Sequence, residues 1–135
     1  MEAVKLNPES FFKEYFFNQN HVCTNPEKAF SCYVDLANYL TITVAQHPLN
    51  GRWCVGEDYA SNQVCSFEGG SSSASHNPNE LGTGYLTAKE GLRIKVNHIL
   101  ENLNRYRLHP KILEALKIYG VTLDMVVPGQ QLPLF

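Results

Sequence analysis

The chain has 135 residues and a mass of 15.2 kDa, with 44% apolar and 18% charged residues. That is the size of one domain with enough apolar material for a packed core, and it excludes a chain disordered throughout. Eleven Lys and Arg against thirteen Asp and Glu give a net charge of −2, so a globally basic nucleic-acid binder is not indicated. No apolar run approaches the roughly 20 residues needed to cross a bilayer, so no membrane partner is expected.

The first residues, Met1-Glu2-Ala3-Val4-Lys5, carry neither a basic start nor an apolar stretch of a secretory signal. The expected location is therefore cytoplasmic. Residues 8–18 predict a short helix, because Phe11, Phe12, Tyr15 and Phe16 fall on one helical face. Asn25-Pro26-Glu27 then offers a cap, a first-turn proline and a carboxylate for the positive end of the dipole. Phe30, Tyr33, Ala37 and Leu40 recur at spacings of three and four, which predicts a helix from Pro26 to about Leu40. The β-branched run at 41–44 either finishes that helix or starts a strand. His47-Pro48 and Asn50-Gly51 end it.

Residues 52–59 and 62–68 have strand composition and predict one β-hairpin around a polar turn at 58–62. Residues 69–84, rich in Gly, Ser and Asn, predict a flexible loop. Its Gly82-Thr83-Gly84 lacks the lysine of a phosphate-binding loop and reads as a plain hinge. Thr87 and Glu90 form a capping box. The helix it opens is expected to run to about Leu108, on a seam of Leu92, Val96, Ile99, Leu103 and Tyr106. Pro110 starts another helix, with Ile112, Leu116 and Tyr119 on one face and Gly120 as its stop. Residues 121–127 are expected to be extended. The fold class is thus α+β, a helix-rich single domain over 1–127 with one β-hairpin and the 69–84 loop. An extended tail follows at 128–135.

Chemistry-bearing residues are scattered. Cys23, Cys32, Cys54 and Cys65 lack the close spacing of a structural zinc site, and buried reduced thiols are the expectation. A set from His21, Cys23, Cys32 and one further ligand is the zinc alternative. Neither a metal nor a cofactor is expected. Cys54 with His76 or His98 supplies the elements of a thiol nucleophile and base if folding brings them together. No catalytic motif stands out, and the balance is against an enzyme. The segment 87–119 is locally basic through Lys89, Arg93, Lys95, Arg105, Arg107, Lys111 and Lys117. Lys89, Arg93, Arg105, Arg107 and Lys111 are the candidates for a nucleic-acid contact, although their helical spacing scatters them around the axis. Gly120-Val121-Thr122 is similar to a helix-turn-helix corner, but Pro128 leaves too little chain for a recognition helix.

The last residues read Pro128-Gly129-Gln130-Gln131-Leu132-Pro133-Leu134-Phe135. Three large apolar residues after a Pro-Gly break either cover the chain's own core or serve a partner. Gln131-Leu132-Pro133-Leu134-Phe135 resembles the bacterial β sliding clamp-binding pentapeptide, Gln-Leu-(Ser/Asp)-Leu-Phe, at four of five positions. The resemblance covers those five residues alone. It implies that Gln131 hydrogen-bonds at the edge of a groove on the clamp. Leu132 takes a shallow site, Leu134 and Phe135 fill the apolar pocket, and Pro133 keeps the peptide extended. The function it implies is an accessory or regulatory protein at the replication clamp. A nucleic-acid-associated factor using 87–119 and a small Cys/His enzyme are the alternatives.

Overall fold

The computed structural model describes residues 14–63, 68–80 and 82–124. Its organising element is a four-stranded antiparallel sheet in sequential order, β1 (Glu27–Asp35), β2 (Asn38–Gln46), β3 (Trp53–Ser61) and β4 (Glu68–Ser72). Three helices follow: α1 (Ala88–Leu100), α2 (Leu103–Tyr106) and α3 (Pro110–Asp124). The expected helix-rich domain with one hairpin is therefore corrected to a sheet-based α+β fold.

The correction is largest at 26–46. The region expected as helix is the β1–β2 hairpin. Its inward residues alternate with period two, Phe30 and Cys32 on β1 facing Leu40, Ile42 and Val44 on β2. The turn needs no glycine, because the Asp35 carboxylate accepts from the Ala37 N–H at 2.8 Å and from the Asn38 amide at 3.1 Å. Asn25 does not cap a helix; its side chain accepts from the Phe16 N–H at 2.7 Å and donates to the Glu14 carbonyl at 3.0 Å. The helix expected at 8–18 lies outside the described residues up to 13. Residues 14–18 are not helical, and Phe17 bridges Cys23.

The one hairpin expected, at 52–68, is the second of the sheet, and its return strand is displaced. β4 lies at Glu68–Ser72, all but its first residue in the expected loop, and Glu57 pairs with Ser72. Cys65 lies outside the described residues. α1 begins as expected, with the Thr87 hydroxyl accepting from the Glu90 N–H at 3.1 Å. It stops at Leu100, and a short α2 follows, closed by Arg107 in the left-handed region at φ 45°. α3 runs straight through Gly120 to Asp124, so no helix-turn-helix corner exists there and residues 121–124 are helical. Gly120 gives close approach: a Cβ there would stand 3.3 Å from Val96 Cγ1.

One sheet face meets the helices. Leu40, Ile42 and Val44 of β2, with Phe30 of β1, pack with Leu92, Val96 and Ile99 of α1 and Ile112, Leu116, Tyr119 and Leu123 of α3 in one core. Each such side chain contributes about 1.5–3 kcal/mol when fully buried. On the opposite face, segments 14–25 and 73–76 cover the end near the β2–β3 turn, joined by Cys23 N–H to the Ala74 carbonyl at 3.0 Å. The other end is open and carries the stacked pair Tyr33 and Tyr39.

Among the described residues, the Tyr119 hydroxyl is the buried side-chain group without a hydrogen-bond partner. Its ring packs on Phe30 at 5.2 Å. An unpaired buried hydroxyl costs about 1–3 kcal/mol, so Tyr119→Phe is expected to raise unfolding free energy by about 1 kcal/mol. Urea denaturation of the two proteins checks this, and a loss of stability in the variant contradicts it.

Candidate functional site

The loop that follows β4 returns to the start of β3 and is stapled there. Trp53 N–H donates to the Tyr85 carbonyl at 2.7 Å, and Tyr85 N–H donates back to the Trp53 carbonyl at 2.8 Å. Two glycines let the pieces close up. Gly84 has φ +77°, and a Cβ there would meet the His76 ring at 3.1 Å. Gly91, on α1, leaves room for the Tyr85 ring, which lies 2.8 Å from where a Cβ would be. The result is a cleft of about 380 Å³ between this loop, the start of β3 and α1. Its walls include Val55, Tyr85 and Ile94, and its polar groups are Ser75, His76, Lys95 and His98.

Behind the cleft lies a buried polar knot. Glu57 points from β3 toward the helices and is 6% exposed. The Lys95 ammonium donates to its Oε1 at 2.9 Å, and the Tyr106 hydroxyl sits 2.8 Å from both carboxylate oxygens. Burial first, and then the hydrogen bond to Glu57, push the Tyr106 phenol well above its ordinary range. It therefore remains a donor across physiological pH. Lys95 is held at the cleft by a carboxylate whose two oxygens are engaged by the protein itself.

A second polar cluster is built of imidazoles. His47 is buried, with Phe17 stacked on its ring at 4.1 Å. The Leu49 N–H donates to His47 Nδ1 at 3.2 Å, so the neutral ring carries its proton on Nε2. That nitrogen lies 3.1 Å from His21 Nδ1 and donates to it. The His76 ring meets His47 edge-on at 5.4 Å, which joins this cluster to the cleft. Burial, then the neighbouring His76 and His21, lower the His47 pKa. Among the described residues no three or more His, Cys, Asp and Glu side chains are grouped to hold a metal ion. The zinc alternative fails because Cys32 faces the helices opposite Leu40, whereas Cys23 pairs with the 73–76 segment.

Cys54, His76 and His98 do line the same cleft, as a thiol enzyme requires. The thiol itself is directed at the Ala45 carbonyl, 3.5 Å away on the neighbouring strand. Burial, then Cys23 nearby, push it up to about 12, so at neutral pH it is a thiol and not the thiolate that nucleophilic attack needs.

Comparison with protein-family models, with curated proteins and with solved structures gives no match.

Of the basic candidates, Arg93 pairs with Asp124 at 3.0 Å, Arg105 lies over the Tyr106 ring at 5.4 Å, and Arg107 Nε donates to the Asn104 carbonyl at 3.0 Å. Lys89 is half-buried on α1, and Lys111 is exposed on α3. Gln131, Leu132, Pro133, Leu134 and Phe135 lie outside the described residues. The Glu57–Lys95–Tyr106 knot escaped sequence reading. Its members come from β3, α1 and α2, and only the odd sight of a glutamate inside strand-like sequence hinted at it. In the described residues no helix is long and apolar enough to cross a membrane.

Two outcomes follow from these clusters. Lys95→Met strands a buried carboxylate and is expected to cost about 3–5 kcal/mol, whereas Glu57→Gln combined with Lys95→Met recovers most of that loss. A double-mutant cycle by urea denaturation measures both, and equal losses for the single and double variants contradict the pairing. For His47, the folded state binds its proton less readily than an unfolded histidine of pKa 6.5. Its contribution is intact above that pH and is lost as pH falls toward the lower folded value. Stability measured in pH steps is expected to decline below 6.5, and His47→Gln is expected to flatten that decline; an unchanged slope contradicts it.

Proposed function

We propose that this protein is an accessory or regulatory factor that docks on the bacterial replication sliding clamp through Gln131–Phe135, with the sheet-and-helix body as its carrier. The observation that carries the reading is the match of the pentapeptide at four of five positions, with both residues of the apolar plug, Leu134 and Phe135, in place. Pro128-Gly129 stands between it and Asp124, the last described residue of α3, and a Pro-Gly pair does not continue a helix. The apolar stripe of α3 is already used internally, with Ile112, Leu116, Tyr119 and Leu123 all buried. The expected docking mode is an extended peptide whose side chains fill separate pockets.

The other two readings draw less support. The arginines of 87–119 are engaged within the protein, which leaves fewer cations for a phosphate backbone. The Cys54 thiol is buried, protonated and aimed at a carbonyl.

Burying Leu134 and Phe135 contributes about 1.5–3 kcal/mol each; with the Leu132 and Gln131 contacts added and the cost of ordering the peptide subtracted, the expected contact is weak and readily exchanging, no tighter than about micromolar. The test is calorimetric titration of the full chain into a bacterial sliding clamp. Leu134→Ala with Phe135→Ala is expected to abolish measurable binding while shifting the melting temperature by less than about 2 °C. Failure of the unaltered chain to bind, or equal binding by the double variant, overturns the proposal. A large loss of stability in the variant also overturns it, by assigning these residues to the chain's own core.

A further inference from the structure

The cleft between the loop after β4 and α1 offers a ligand two donors, Lys95 and His98. Lys95 uses one of its ammonium protons on Glu57 and has two more to give. The Asn102 side-chain amide stands 3.4 Å from His98 Nδ1 and 2.7 Å from the His98 carbonyl. An amide N–H facing Nδ1 leaves the neutral ring's proton on Nε2, so His98 is a further donor. The Thr83 hydroxyl lies 2.6 Å from the Asn77 carbonyl and 2.9 Å from that of Glu80, which commits its proton to a backbone acceptor. His76 turns Nδ1 to Thr83 Oγ1 at 3.3 Å and Nε2 to the Arg52 carbonyl at 3.4 Å, so both its nitrogens are engaged within the protein and it presents only its ring to a ligand. The adjoining carboxylate, Glu57, offers nothing to a ligand, because Tyr106 and Lys95 occupy both of its oxygens. The cleft is also lined by the apolar side chains of Val55 and Tyr85 and, on α1 beside the two donors, Ile94.

We propose that this cleft binds a small ligand bearing an anionic oxygen group, a carboxylate or a phosphate, with that group at Lys95 and His98 and its apolar body against Tyr85 and Ile94. The arrangement suits an acceptor and disfavours a cation. A ligand that supplies only donors leaves the Lys95 ammonium and the imidazole N–H facing like groups. The volume of about 380 Å³ falls in the range of small-molecule sites. Lys95 is also held before any ligand arrives. Glu57 fixes it from behind, so less rotamer freedom is lost on binding than for a lysine free in solvent. A chain lacking Gln131–Phe135 is expected to keep this binding.

The test uses the full chain, isotope-labelled, titrated with inorganic phosphate, with benzoate and with benzamide as the uncharged counterpart of benzoate. Saturable amide shifts with phosphate or benzoate, confined to residues 75–76, 84–85 and 94–98, are the expected result, and the tighter of the two anions names the source of the group. Benzamide is expected to bind at least about tenfold more weakly than benzoate, the discrimination of one charge-assisted hydrogen bond. His98 is exposed, so His98→Ala leaves the fold intact and is expected to weaken the better anion about fivefold. The Glu57→Gln, Lys95→Met pair is expected to abolish the preference for charge. Equal binding of benzamide, shifts centred elsewhere, or no saturable shift below about 10 mM of either anion overturns the proposal.

Discussion

The buried carboxylate of Glu57 is the constraint on which the arrangement of this protein turns. It sits on the sheet face that receives the helices, at the register position opposite Ile42. A carboxylate there is tolerable only with its charge matched and its lone pairs used. Lys95 brings α1 to it and Tyr106 brings α2, so two helices are indexed against β3 by one group. Apolar packing alone does not fix such an index, since Leu, Ile and Val surfaces tolerate sliding by a fraction of a turn. The neighbouring contacts agree with the same placement. The Tyr59 ring lies 4.7 Å from Tyr106, and the Ser61 hydroxyl donates to the Arg107 carbonyl.

How far the sequence disclosed this depends on the range of the interactions involved. The start of α1 was legible, because Thr87 and Glu90 interact across one turn and Leu92, Val96 and Ile99 repeat with the helix. The β1–β2 hairpin was not. Phe30, Tyr33, Ala37 and Leu40 have helical spacing, yet Tyr33 is 59% exposed on the outer sheet face and Ala37 sits in the turn. The true core pattern is the alternation of Leu40, Ile42 and Val44, which starts where the helical reading ended. The turn that splits the two strands carries no Gly or Pro, and only Asp35 and Asn38, bonded to each other across it, mark it. β4 is Glu-Gly-Gly-Ser-Ser, a composition with no strand signal, and it is held by backbone pairing to β3. Gly70 there accepts the Tyr59 ring, 3.2 Å from where a Cβ would stand.

The candidate site was less legible than the fold for the same reason. Cys54, His76 and His98 were identified as residues that function requires to converge, and they do line one cleft. Their roles follow from neighbours that no local pattern discloses. Cys54 is silenced by burial beside Ala45, His76 is oriented by Thr83, and His98 by Asn102. Lys95 appeared as one of seven scattered cations, whereas its partner Glu57 lies 38 residues away on another element. The pentapeptide is the opposite case, since its signal is wholly local.

Helix α1 is the element that relates these parts. Its buried stripe of Leu92, Val96 and Ile99 fixes it on the sheet and leaves two flanks. One flank carries Ile94, Lys95 and His98 into the cleft, with Gly91 admitting Tyr85. The other carries Arg93, Val96 and Asn97 along a groove of about 280 Å³ shared with α3, where Val96 approaches Gly120 and Arg93 reaches Asp124. Asp124, the last described residue of α3, lines that groove. The cleft and the groove therefore lie along two flanks of the same helix. Coupling between two such sites requires an element with two arrangements that both bias. Here α1 is held by its fully buried Leu92 and Ile99 and by the Lys95–Glu57 pair, with the exposed Arg93–Asp124 pair on the other flank, so shifting it breaks contacts on both sides at once. The proposed ligand site and the proposed docking peptide are thus expected to act independently, since no shared switch joins them through α1.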